Sequence, residues 1–126
     1  MASLLLVDDD AAVRDSLYEL FADEHRCHTA ETTEKALAML EQEFYDVILT
    51  DISMPGLSGL ELLALVRQRY PETPVIIISG ISDREHARGL LKLGAFAYLL
   101  KPFRIEAVEE SVRQAIQSRQ RLRKVR

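Results

Sequence analysis

Apolar residues along this chain follow two alternating rhythms. Short, near-continuous runs such as "VILT" and "VIIIS" are rich in β-branched residues, as strands covered on both faces are. They predict strands over 3–7, 27–29, 46–50, 75–79 and 97–100. Between them, apolar residues recur at helical spacing. Val13, Leu17, Leu20 and Phe21 share one face, as do Ala36, Leu37 and Leu40, then Leu60, Leu63 and Val66, then Ile105, Val108, Val112 and Ile116. A fourth helix, over about 83–93, carries Gly89 inside it. An internal glycine costs about 1 kcal/mol against alanine, which predicts a marginal helix that shifts easily. Five β–α units joined by short connections predict an α/β fold, a doubly wound five-stranded parallel sheet with helices on both faces.

In such a sheet the functional crevice lies at the carboxyl ends of the strands, and there the polar pattern changes. The first strand runs into Asp8, Asp9 and Asp10, the third into Asp51, the fourth into Ser79 and the fifth into Lys101. One edge therefore gathers carboxylates, a hydroxyl and an ammonium. Two carboxylates about 4 Å apart repel by roughly 4 kcal/mol at a surface-like dielectric. A hard divalent cation removes that cost, and magnesium suits a site of few carboxylates and several waters. Asp10, just before "AAVRDSL", reads as the N-cap of the first helix. Asp51 precedes "MPG", where Pro55 fixes φ and Gly56 admits φ > 0. That turn predicts a carboxylate at the rim, able to attack a phosphoryl group beside magnesium. The Ser79 hydroxyl can donate to a phosphoryl oxygen, with Gly80 leaving room. Lys101 supplies a point charge to the same place, and Lys101–Pro102 is a candidate cis bond that would aim it inward.

The chain has 126 residues, one domain's length, and is 48% hydrophobic and 29% charged. No apolar run approaches the roughly 20 residues of a membrane span, and the amino terminus lacks a signal peptide's basic region. A single cysteine, Cys27, excludes an internal disulfide and points to a cytoplasmic setting. Cys27 with His25 and His28 has no second ligand pair for zinc and reads as a surface strand. The last eight residues hold five of the 16 basic groups and no acid, leaving 11 basic against 20 acidic groups on the rest. That acidic body does not read as a nucleic-acid surface. Residues 1–118 form the predicted domain, and 119–126 a basic extension of the last helix. The extension reads as a lead to an output domain, a solvated helix end favoured by the macrodipole, or a weak DNA contact.

Taken together, "LLVDD", "VILTDISMPGLSG", "VIIISG" and "GAFAYLLKPF", in that order over about residues 3–118, resemble the receiver domain of two-component response regulators. The resemblance implies a flavodoxin-like (βα)5 fold with strand order 2-1-3-4-5, and phosphorylation of Asp51 by a sensor histidine kinase or phosphotransfer protein. It implies Mg2+, with Mn2+ as a substitute, held directly by Asp9, Asp51 and the Ser53 carbonyl and through water by Asp8. Ser79 then takes the part of the switch hydroxyl, Lys101 that of the phosphoryl-binding lysine and Tyr98 that of the aromatic switch. Output, and an optional homodimer, would use the face of the fourth helix, fifth strand and fifth helix. The chain would be a signalling phosphoacceptor, with no chemistry beyond its own phosphotransfer and autodephosphorylation. It would touch no membrane, and nucleic acid only through an output domain. Phe96 and Ala97 stand where the winged-helix subfamily has two acids, which argues against that subfamily's dimer and brings "GAFAYLLKPF" closer to the nitrogen-regulation type. Ser58 replaces a frequent Asp, and Ser53 and Ile81 occupy positions that tune phosphoryl lifetime. Two other classes fit less. A haloacid-dehalogenase-type phosphatase would use Asp8-x-Asp10 but leaves "DISMPG" unexplained. A flavin carrier would need a phosphate loop where three aspartates stand.

Overall fold

The computed structural model describes residues 1–54, 56–80 and 84–125, with backbone alone for 84 and 123–125. Pro55, Ile81 and Asp83, each invoked above, lie outside the described residues, as does Arg126. The elements run β1 (Ser3–Val7), α1 (Ala11–Phe21), β2 (Arg26–Ala30), α2 (Thr33–Gln42), β3 (Val47–Asp51), α3 (Gly59–Arg69), β4 (Val75–Ser79), α4 (Arg84–Lys92), β5 (Ala97–Leu100) and α5 (Ile105–Val125). The sheet is parallel throughout, in the order β2-β1-β3-β4-β5.

Strand alternation sorts the core into two layers. Leu5, Val7, Ile48 and Ile77 point to one side, against Ala36 and Leu40 of α2, Leu62, Leu63 and Val66 of α3, and Leu90 of α4. Leu4, Leu6, Leu49, Ile76 and Ile78 point to the other, against Leu17 and Phe21 of α1 and Val108, Val112 and Ala115 of α5. Ile76, Ile77 and Ile78 are essentially inaccessible, and each such side chain contributes about 1.5–3 kcal/mol by leaving water. The apolar runs of β3 and β4 thus follow from a sheet covered on both faces.

The pattern misplaced some positions. Strand β3 begins at Val47 and includes Asp51, because Asp51 still pairs in register with Ile78. Asp46 stands before the strand, where its carboxylate accepts the Ser3 N–H at 2.8 Å. Strand β2 is longer by one residue at each end. On α3, Leu60 is exposed while Leu62 joins Leu63 and Val66 inside. A capping box sets that phase: Ser58 caps the Glu61 N–H, and Glu61 reaches back to the Ser58 N–H. Ile105 is 56% exposed, one turn before the sheet-facing stripe of α5 begins.

Helix α5 runs on through Val125. Arg119, grouped in sequence with the basic extension, packs against the body and is 7% exposed. Its Nη1 donates to Glu72 Oε2 at 3.0 Å, and its guanidinium lies 4.7 Å from the Phe44 ring centroid.

Candidate functional site

The anticipated side chains meet at the carboxyl edge of the sheet, each arriving on a different strand. Asp8 and Asp9 follow β1, Asp51 closes β3, Ser79 closes β4 and Lys101 follows β5. One carboxylate oxygen from each of Asp8, Asp9 and Asp51 lies within 4.8 Å of the others. Lys101 Nζ sits 2.9 Å from Asp8 Oδ2 and 3.5 Å from Asp51 Oδ2. The Lys101–Pro102 bond is cis, and the Lys101 N–H donates to the Ser79 carbonyl at 2.8 Å.

Burial corrects the sequence reading of Asp51. The rim position inferred from the turn fails: Asp51 is 6% exposed and Asp8 only 1%. A turn after the strand fixes where the chain goes next, while Asp8 and Lys101, which flank the carboxylate, come from other strand ends. Asp9, Ser53 and Gly80, near the same edge, are exposed. Gly56 takes φ 75°, as the "MPG" turn predicts, and a side chain at Gly80 would meet open space.

Burial raises the Asp51 carboxyl above its ordinary value, and the Asp8 charge adds to this. Lys101 and the Ser53 N–H, which donates to the carboxylate, oppose them. Desolvation pulls Lys101 down, but its hydrogen bond to Asp8 and the charges of Asp8 and Asp51 outweigh that and raise it. Both effects follow from acids gathered around one ammonium.

The corner between β1 and α1 is bonded at several points. The Asp8 N–H extends the ladder to the Ala30 carbonyl at 3.1 Å. Asp8 Oδ1 accepts the Asp10 N–H at 2.9 Å. Asp10 caps α1 as anticipated, its Oδ1 accepting the Ala12 N–H at 2.9 Å. Arg14, in the first turn of α1, donates from Nη1 to the Asp8 carbonyl at 2.8 Å. Sequence reasoning missed Arg14, since a lone arginine in a first turn carries no distinguishing signal. It also passed over the capping role of Ser58, although Ser58-x-x-Glu61 is a readable signature.

The remaining anticipated residue, Tyr98, is half-buried on β5, its ring edge-on to His86 of α4 with centroids 6.1 Å apart. Cys27 is buried, and His28 Nδ1 lies 2.7 Å from the Tyr45 hydroxyl.

Chemically, three carboxylates against one ammonium leave the described cluster with excess negative charge. Its donors are all hard oxygens, which suits a small divalent cation. The cluster could hold a metal, and Asp51 lies within it beside a second cation.

Comparison with known proteins agrees with this fold. The family model described as "Response regulator receiver domain" matches residues 4–113. The hydrogenase transcriptional regulatory protein HoxA of Cupriavidus necator is 38% identical over 118 residues, covering 93% of this chain and 24% of that protein. The DNA-binding transcriptional regulator NtrC of Salmonella typhimurium is 42% identical over 112 residues, covering 88% of this chain and 24% of that protein. Among solved structures, the Francisella response regulator 1452 receiver domain superposes with a TM-score of 0.86 at 30% identity, covering 97% of this chain and 99% of that one. This chain therefore spans about a quarter of the length of the curated relatives it matches.

Proposed function

The chain belongs to the family of response regulator receiver domains, and on that premise we propose that Asp51 accepts a phosphoryl group from a phosphohistidine of a sensor kinase or phosphotransfer protein. The phosphorus–nitrogen bond of the donor breaks as a bond to the Asp51 carboxylate forms, and the donor imidazole leaves. Asp9, Asp51 and the Ser53 carbonyl would hold magnesium, or manganese in its place, with Asp8 beside them. Such a cation would supply positive charge to offset the carboxylates and the transferring group. Lys101 adds a second cation and Ser79 a hydroxyl donor, so catalysis is positioning plus electrostatics. Beyond this transfer and the hydrolysis of its own acyl phosphate, the domain signals without acting on other substrates.

The observation that carries the reading is the convergence of Asp8, Asp9 and Asp51 within 4.8 Å, with Lys101 spanning the first and last. The output follows from the family's switch. Ser79 engages the phosphoryl group, Tyr98 turns inward from its place beside His86, and the face of α4, β5 and α5 shifts in population. That face, to which α4 contributes exposed Leu91 and β5 exposed Leu100, then meets an output domain or a second copy. The end of α5 beyond the packed Arg119 would lead toward such an output.

The test is intact mass after incubation with a small phosphodonor and magnesium. A single phosphoryl adduct on the wild type, absent in Asp51→Asn and absent without the metal, is expected. No adduct with a competent donor overturns the reading.

A further inference from the structure

Asp9 stands apart within the cluster. Asp8 is held at every polar atom: its N–H by Ala30, Oδ1 by the Asp10 N–H, Oδ2 by Lys101 and its carbonyl by Arg14. Asp51 is held by Lys101 and by the Ser53 N–H. The Asp9 side chain is exposed and, among the described residues, has no hydrogen bond or ion pair of its own. Its direction depends on the peptide that carries it, and the carbonyl of that peptide is the Asp8 oxygen bonded by Arg14 at 2.8 Å.

Arg14 is also an unusual cation. It is half-buried beside four nearby aspartates in sequence, Asp8, Asp9, Asp10 and Asp15, yet among the described residues it pairs with no carboxylate within 4.0 Å. Its Nη1 bonds a neutral carbonyl and leaves the cluster's carboxylate oxygens free for other partners. We propose that Arg14 is a positioning residue for the divalent cation, acting through the Asp8–Asp9 peptide to aim the Asp9 carboxylate into the site. This rests on the metal-dependent reading above and extends it to a residue outside the ligand set. Outer groups that orient metal ligands are worth about 10–100-fold in affinity.

The two roles open to Arg14 predict opposite signs. If it acted only as a nearby positive charge, removing it would tighten magnesium binding, since like charges repel. As a positioning residue, its removal weakens binding despite relieving that repulsion. The experiment is a magnesium titration of the metal-free protein, followed by NMR chemical shifts, on wild type, Arg14→Met and Arg14→Lys. Urea unfolding of each metal-free variant reads stability separately. Arg14→Met should weaken magnesium about tenfold. Arg14→Lys, which keeps the charge and one donor, should recover part of the loss, and it serves alone if Arg14→Met does not fold. In an Asp9→Asn background the Arg14→Met loss should largely vanish, because the two act as one unit. Unchanged or tighter binding in Arg14→Met, or a full additional loss in the Asp9→Asn background, overturns the proposal. Absence of saturable magnesium binding in the wild type would instead remove the metal-dependent reading, and Arg14's role with it.

Discussion

Two glycines lie in helices of this domain, and the same substitution should act on them in opposite directions. A Cβ built on Gly59 would sit 2.1 Å from the Asp51 carbonyl oxygen and 2.8 Å from the Ile52 Cα. Ordinary contacts begin at 3.4 Å, so the first turn of α3 or the end of β3 must move by more than an ångström. No side-chain rotation relieves this, since both obstacles are backbone. Both are also fixed: the Gly59 N–H donates to the Ile52 carbonyl at 3.0 Å, and Thr50 Oγ1 donates to the Asp51 carbonyl at 2.9 Å. Overpacking of this kind costs typically 1–3 kcal/mol, sometimes more, against a helix-propensity gain of at most about 1 kcal/mol. Gly59→Ala should therefore lose about 2 kcal/mol. At Gly89, in α4, an added Cβ meets nothing within 4 Å, and Gly89→Ala should gain about 0.5–1 kcal/mol. Urea unfolding followed by far-UV circular dichroism separates the two. With a slope of about 1–3 kcal/mol per molar, the Gly59→Ala midpoint should fall by roughly 1 M and the Gly89→Ala midpoint should rise. Function should divide the same way, because a shift of about 1 Å in a reacting group costs as much as 100-fold. Under the proposed function, phosphoryl acceptance should drop in Gly59→Ala and persist in Gly89→Ala, where a stiffer α4 should instead shift the proposed inactive–active balance. A Gly59→Ala midpoint at or above the wild-type value would refute the contact argument.

Metal-free Asp51→Asn should be more stable than wild type near pH 7. The raised folded-state value of Asp51 means that wild-type stability is lost as pH rises from the unfolded value of 3.8 through the folded one, so the gain should shrink as pH falls; urea midpoints at several pH values read it. His25 works in the other direction. Burial lowers it from 6.5, and its Nδ1 accepts the Ala2 N–H at 3.1 Å, so its contribution should fade as pH drops below about 6.5. His25→Asn, still able to accept that bond, should flatten the stability profile between about pH 7 and pH 5. Arg119→Ala should cost about 1–3 kcal/mol through the lost Glu72 pair and Phe44 stacking, and hydrogen exchange should accelerate in the last turns of α5.

The sheet order and the residues gathered at its edge were legible because both follow from chain order. Short apolar runs alternating with amphipathic helices fix a doubly wound sheet, and the residue after each run must then lie at the carboxyl edge. Burial was less legible. Asp51 looked exposed because its flanking turn is local, whereas its neighbours Asp8 and Lys101 are distant in sequence. Arg119 looked solvated for the same reason: a run of basic residues says nothing of the Glu72 and Phe44 that meet one of them. Leu60 and Leu62 were exchanged because α3 holds more leucines than its buried stripe needs, and only the Ser58–Glu61 cap fixes the helix's phase.

Lys101 follows the last strand of the sheet, and β5 pairs with β4 alone. During synthesis the acidic residues at positions 8, 9 and 51 are made long before their ammonium. A nascent chain that has assembled β1 through β4 therefore carries the cluster without the cation that bridges it. Docking of β5 supplies that charge along with a strand's worth of hydrogen bonds. The edge strand, which in most sheets frays first, is here moored electrostatically to the ends of β1 and the central β3. Opening β5 removes Lys101 from Asp8 and Asp51 together, so loss of the edge and loss of the proposed phosphoryl acceptance should occur as a single event.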